Sequence, residues 1–137
     1  MKVFLDTNII LDFIEKRGDF TINAANIFQL GKDKKIELYV TDLTMVNVAY
    51  ILRKKTDTNK IYTILSTLRK FVSVIEIGDI VIDKAISLHS KDFEDSVQYY
   101  AAERANMDCI ITRNTQDFLQ GAIPIYQPHD FLDKFIN

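Results

Sequence analysis

Met1-Lys2-Val3-Phe4-Leu5-Asp6-Thr7-Asn8-Ile9-Ile10-Leu11-Asp12-Phe13-Ile14 opens the chain. Val3-Phe4-Leu5 is a short apolar run closed by Asp6, and from Asn8 onward the apolar side chains fall at helical spacing. The stretch therefore reads as a strand followed by a helix. A carboxylate, a hydroxyl and an amide sit on the turn between them.

The same alternation recurs downstream. Ile22, Ala25, Ile27 and Leu30 predict a helix over 21–30, ended by Gly31 and the lysines that follow, and a strand over 36–40 comes next. Residues 41–55 carry apolar side chains all round and predict a buried helix. Residues 59–70 read as an amphipathic helix, and 71–77 as a β-type run closed by Gly78. Helices over 79–89 and 94–107, a strand over 109–112, a helical turn near 115–119, a short strand over 123–126 and a helix over 129–136 complete the order. Apolar strands alternating with helices imply βαβ units: an α/β fold with a mainly parallel sheet covered on both faces. Such sheets bind ligands beyond the carboxyl ends of their strands.

With 137 residues, 47% of them apolar, and no Gly/Ser/Pro-rich linker or internal repeat, one domain over 1–137 is the expectation. The first residues reach Asp6 too soon for a secretory signal, and no apolar run is long enough to span a bilayer. A soluble, cytoplasmic protein without membrane contact is expected. The single cysteine, Cys109, reads as a buried strand thiol. Seventeen basic against nineteen acidic side chains exclude a general basic coat for nucleic acid, so phosphate contacts must be local.

The polar residues that follow strands are the candidates for chemistry. Asp6 closes the first strand, and Thr112-Arg113-Asn114-Thr115-Gln116-Asp117 follows the fourth. Asp95, beside Glu94, lies in the first turn of the helix preceding that strand and can reach the same edge. Clustered carboxylates repel unless cations lie between them, and oxygen donors favour magnesium or manganese over zinc. Two ions about 4 Å apart clamp a phosphodiester. The implied chemistry is metal-dependent phosphodiester hydrolysis, with Asp6 and Asp95 as principal ligands, Asn114 or Asp117 completing the shell, and Asn47 close enough to reach it.

Residues 3–12, 93–102 and 110–118 resemble, in order and spacing, the corresponding segments of PIN domains, including the VapC-type toxins of bacterial toxin–antitoxin modules. The resemblance spans almost the whole chain and implies a three-layer α/β/α fold, a divalent-metal site and RNA cleavage. By position, Asp6 matches the first acidic residue, Asp95 the third, and Asn114 with Asp117 the region of the fourth. Asn47 stands where the family usually has Glu, which implies a site that holds metal more weakly. The resemblance also implies an antitoxin partner and a homodimer.

Structural explanations stand beside these. Asp92 with Asp95, and Asn114 with Asp117, have the spacing of an N-cap and its third helical residue. Asp12 reads as a solvated or capping group, Asn8 as orienting Asp6 or capping the next helix, and Asn47 as a buried amide in need of partners. Arg113 is the basic residue best placed for a phosphate. Two other functions compete: a degenerate PIN module that binds RNA or protein without cutting, and a haloacid-dehalogenase-like phosphatase. The latter needs a second Asp at position 8, where this chain has Asn8.

Overall fold

The computed structural model describes residues 1–116, 118 and 121–136. The first strand, β1 (Lys2–Leu5), runs into α1 (Thr7–Ile14), and α2 (Asp19–Lys32) returns the chain to β2 (Glu37–Thr41). Then come α3 (Asp42–Leu52), α4 (Thr58–Leu68), β3 (Val72–Ile75), α5 (Gly78–Leu88), α6 (Phe93–Arg104), β4 (Cys109–Ile111), β5 (Ile125–Tyr126) and α7 (Pro128–Ile136). Among the described residues the four strand pairings are all parallel, and the sheet order is β3-β2-β1-β4-β5. This is the three-layer α/β/α arrangement that the alternation of strands and helices predicts.

Side-chain alternation along the strands separates the two covered faces. Val3, Leu5, Leu38, Val40, Cys109 and Ile111 turn toward α1, α2, α3 and α7, where they meet Ile9, Ile27, Phe28, Val48 and Phe131. Phe4 and Ile110 turn the other way, onto Tyr99 and Ala102 of α6. Cys109 is buried, which pushes its thiol up to about 12 and leaves it without thiolate character. No helix among the described residues is long and apolar enough to cross a membrane.

One expectation needs correction. The helix α3 is not buried all round: Thr44, Val48 and Leu52 face the interior, whereas Val46 and Tyr50 are exposed. An apolar circumference records what a helix could bury, but one sheet covers only one side of it. Of the helical turn expected over 115–119, Thr115 and Gln116 form a turn, and residues 117 and 119 lie outside the described residues.

Candidate active site

The parallel register brings two strand ends together. Leu5 pairs with Ile111, and the Asp6 N–H donates to the Ile111 carbonyl at 3.0 Å, so Asp6 and Thr112 leave the sheet side by side. The Thr112 hydroxyl donates to Asp6 Oδ2 at 2.8 Å, and the Thr7 N–H donates to Asp6 Oδ1 at 2.8 Å. Asp6 thereby caps α1, the role suggested for Asn8, and both its carboxylate oxygens are fixed. Burial raises its pKa above the usual carboxylate value; the Thr112 and Thr7 hydrogen bonds oppose that rise, while the charges of Glu94 and Asp92 add to it.

Asp95 approaches from the opposite layer. Asp92 is the N-cap of α6 and accepts from the Asp95 N–H at 3.0 Å, so the capping role expected of Asp92 holds. The Asp95 side chain is half-buried, and its pKa is raised from 3.8 to about 7. Burial is the largest cause, followed by the charge of Asp6 and then of Asp92. Asp6 and Asp95 therefore share one electrostatic environment at the carboxyl edge of the sheet.

A floor of buried polar side chains ties these segments together. The hydroxyls of Thr7 on α1 and Thr44 on α3 lie 2.9 Å apart. Gln98, one turn beyond Asp95, donates to the Thr44 hydroxyl at 3.0 Å and accepts from the Thr41 hydroxyl at 2.9 Å. Thr41, Thr44 and Gln98 are fully buried. Amide and hydroxyl partners satisfy one another, which makes such a network rigid and sets the spacing of the elements above it. Nothing in the spacing of these residues along the chain identifies them, since they come from four elements.

Asn47 is half-buried, and its Nδ2 donates to Glu94 Oε1 at 3.1 Å. An uncharged amide at position 47 is thus met by a carboxylate from α6 whose charge is felt at both Asp6 and Asp95. Asn114 is exposed; its backbone N–H donates to the Thr112 hydroxyl at 3.1 Å, one link away from Asp6. Its side chain makes no described contact with either carboxylate. Asp117 lies outside the described residues.

Asp12 departs furthest from expectation. It is neither solvated nor a cap: at 1% exposure it is held by Arg113 Nε at 2.7 Å and Arg17 Nη1 at 3.2 Å. Arg113 also reaches Asp12 Oδ1 through Nη2 at 3.2 Å. Arg113, the basic residue expected to meet a phosphate, thus shares the Asp12 carboxylate with Arg17 and fastens the loop after β4 to α1.

The donors that the described residues offer at this edge are carboxylate, amide and hydroxyl oxygens. Among the described residues, no three His, Cys, Asp or Glu side chains converge as a ready-made metal cage. Asn8 adds a buried Oδ1 without a hydrogen-bond partner. Two carboxylates in one environment, with Glu94 and amide oxygens nearby, suit a hard cation that keeps part of its water shell.

A family profile described as "PIN domain" matches residues 2–116. The chain belongs to the PIN domain family. Among curated proteins this PIN domain is similar to "Ribonuclease VapC1" of Aquifex aeolicus (strain VF5), 26% identical over 145 residues that cover 98% of this chain and 95% of the relative. Its fold is similar to that in the VapBC-1 structure from nontypeable Haemophilus influenzae, with TM-score 0.72, 18% identity and coverage of 94% and 99% of the two chains. It is also similar to Mycobacterium tuberculosis VapC20, described as a Sarcin-Ricin loop cleaving toxin, with TM-score 0.62, 10% identity and coverage of 79% and 86%.

Proposed function

We propose that this PIN domain is a divalent-metal-dependent ribonuclease that hydrolyses RNA phosphodiester bonds as the toxin of a toxin–antitoxin pair. The observation that carries the reading is the pairing of Asp6 and Asp95 in one environment. There Asp95 is pushed up to about 7 by burial and by its acidic neighbours, so added positive charge is strongly favoured. Similarity to the Aquifex ribonuclease over nearly both full lengths supports the substrate class, and the likeness to VapBC complexes supports an antitoxin partner.

Asp6 and Asp95 would hold the cation, with Glu94, Asn47, Asn114 and Asp117 as further oxygen donors. Bound magnesium or manganese supplies the charge that balances the carboxylates and lowers the pKa of a water at the phosphodiester. The chain's own contribution is placement. Thr112 and the Thr7 amide fix both oxygens of Asp6, and Gln98, Thr44 and Thr7 set the distance between α1 and α6. The Asp12–Arg113 pair anchors the loop that carries Thr112 and Asn114.

The test is cleavage of a mixed RNA pool by the parent and by Asp6→Asn with magnesium or manganese. Loss of cleavage in a variant that still folds is expected, and equal cutting by both would show the assigned site to be wrong. A second reading, a module that binds without cutting, is favoured by the uncharged Asn47. The carboxylate of Glu94 beside Asn47 weighs against it.

A further inference from the structure

A cleft of about 220 Å³ lies on the Asn114 side of the candidate active site, lined by Phe20, Asn23, Arg113, Asn114, Gln127 and His129 among others. Its composition differs from that of the carboxylate cluster. Phe20 leaves 47% of its surface exposed, so part of its ring is open to the cleft it lines. The Arg113 guanidinium lies over the Phe20 ring at 4.3 Å from the centroid. That guanidinium cannot swing freely, because Nε and Nη2 both hold the fully buried Asp12 carboxylate at 2.7 and 3.2 Å. The tethered guanidinium and the Phe20 ring beneath it thus form part of the cleft wall, and three amide side chains that can both donate and accept line the same cleft.

Flat cationic and aromatic surfaces beside amides are what an unstacked nucleobase requires: stacking on its face and hydrogen bonds along its edge. We propose that this cleft seats one nucleobase of the substrate strand, next to the phosphodiester that is cut. Phe20 and Arg113 form the stacking platform, and Asn23 and Gln127 read the base edge. The inference rests on the ribonuclease reading for its substrate. Its location follows from the loop itself: Asn114 lines the cleft, and its backbone N–H donates to the Thr112 hydroxyl that in turn donates to Asp6.

Two measurements separate failure of the cleft from failure of the nuclease reading. In the first, the ¹⁵N-labelled chain in EDTA is titrated with the four nucleoside 5′-monophosphates and with ribose 5-phosphate, following the side-chain amide signals of Asn23, Asn114 and Gln127. At least one nucleotide should shift those signals while ribose 5-phosphate does not, and Phe20→Ala should weaken that nucleotide roughly tenfold whereas Phe20→Tyr retains it. Equal shifts from ribose 5-phosphate would make this a phosphate site, and no shift from any nucleotide would show that the cleft takes no base. Either result overturns the proposal.

In the second measurement, cut ends from a random-sequence RNA pool are sequenced. The parent should show a base bias at one position flanking the cut, and Phe20→Ala should flatten it there alone. A bias unchanged in Phe20→Ala overturns the cleft. Nucleotide binding by a chain that cuts no RNA would sustain the cleft and sink the nuclease reading.

Discussion

Replacing Asp95 by Asn should stabilise the metal-free protein while abolishing cleavage, and the size of the gain should depend on pH. The folded carboxyl ionises at about 7 against 3.8 for an unperturbed side chain, so between those values the folded state binds the proton that the unfolded state has released. Where the folded state holds more protons, stability falls as pH rises. The loss begins near 3.8 and is complete above about 7. In a fully buried group such a difference would be worth about 4 kcal/mol. Asp95 is only half-buried, and solvent screening reduces this to roughly 1–2 kcal/mol. For a chain of this length that is about 3–8 °C in Tm. Thermal denaturation of parent and variant in EDTA at pH 8 and pH 5 is the assay. Asp95→Asn should melt higher at pH 8. At pH 5 less than half of that difference should survive, because the interval from 3.8 to 5 is the smaller part of the interval up to about 7. Equal shifts at both pH values, or a lower Tm at pH 8, would refute the claim that crowding and burial raise this carboxyl.

Other consequences are measured in the same way. Magnesium should raise the Tm of the parent more at pH 8 than at pH 5, since protons compete for the same oxygens, and isothermal titration should show the matching loss of affinity. Gln98→Leu removes the shared partner of Thr41 and Thr44 and should lower stability by about 2–3 kcal/mol in urea denaturation; an effect near zero would mean that the polar floor is not structural. Asp12→Ala leaves Arg113 and Arg17 without their buried partner, and because both guanidiniums reach solvent the loss should be about 2–3 kcal/mol, below that of a wholly buried pair. Asn47→Glu should destabilise the metal-free protein by setting a second carboxylate against Glu94 and should tighten manganese binding, which a calorimetric titration would reveal. Unchanged affinity would remove position 47 from the metal shell.

Much of the architecture was legible because it rests on local patterns. Val3-Phe4-Leu5 followed by Asp6 and a helical repeat carries the βα unit on its face, and the parallel sheet follows from its repetition. The rule that sites follow strands led to Asp6 and Thr112, which the structure joins by a hydrogen bond. What was hidden depends on tertiary pairing. Glu94 reads as an ordinary first-turn acid until α6 is laid against α3 and its carboxylate meets Asn47. Asp12 reads as a solvated group because its partner Arg113 is 101 residues away. The exposed side of α3 reads as core in the sequence because hydrophobicity alone does not say which face a sheet will cover.

The most direct test of the account is anomalous scattering from crystals soaked in manganese. A peak within coordinating distance, about 2.0–2.3 Å, of carboxylate oxygens from both Asp6 and Asp95 is predicted. Manganese bound only at other acidic residues, with Asp6 and Asp95 untouched, would contradict it.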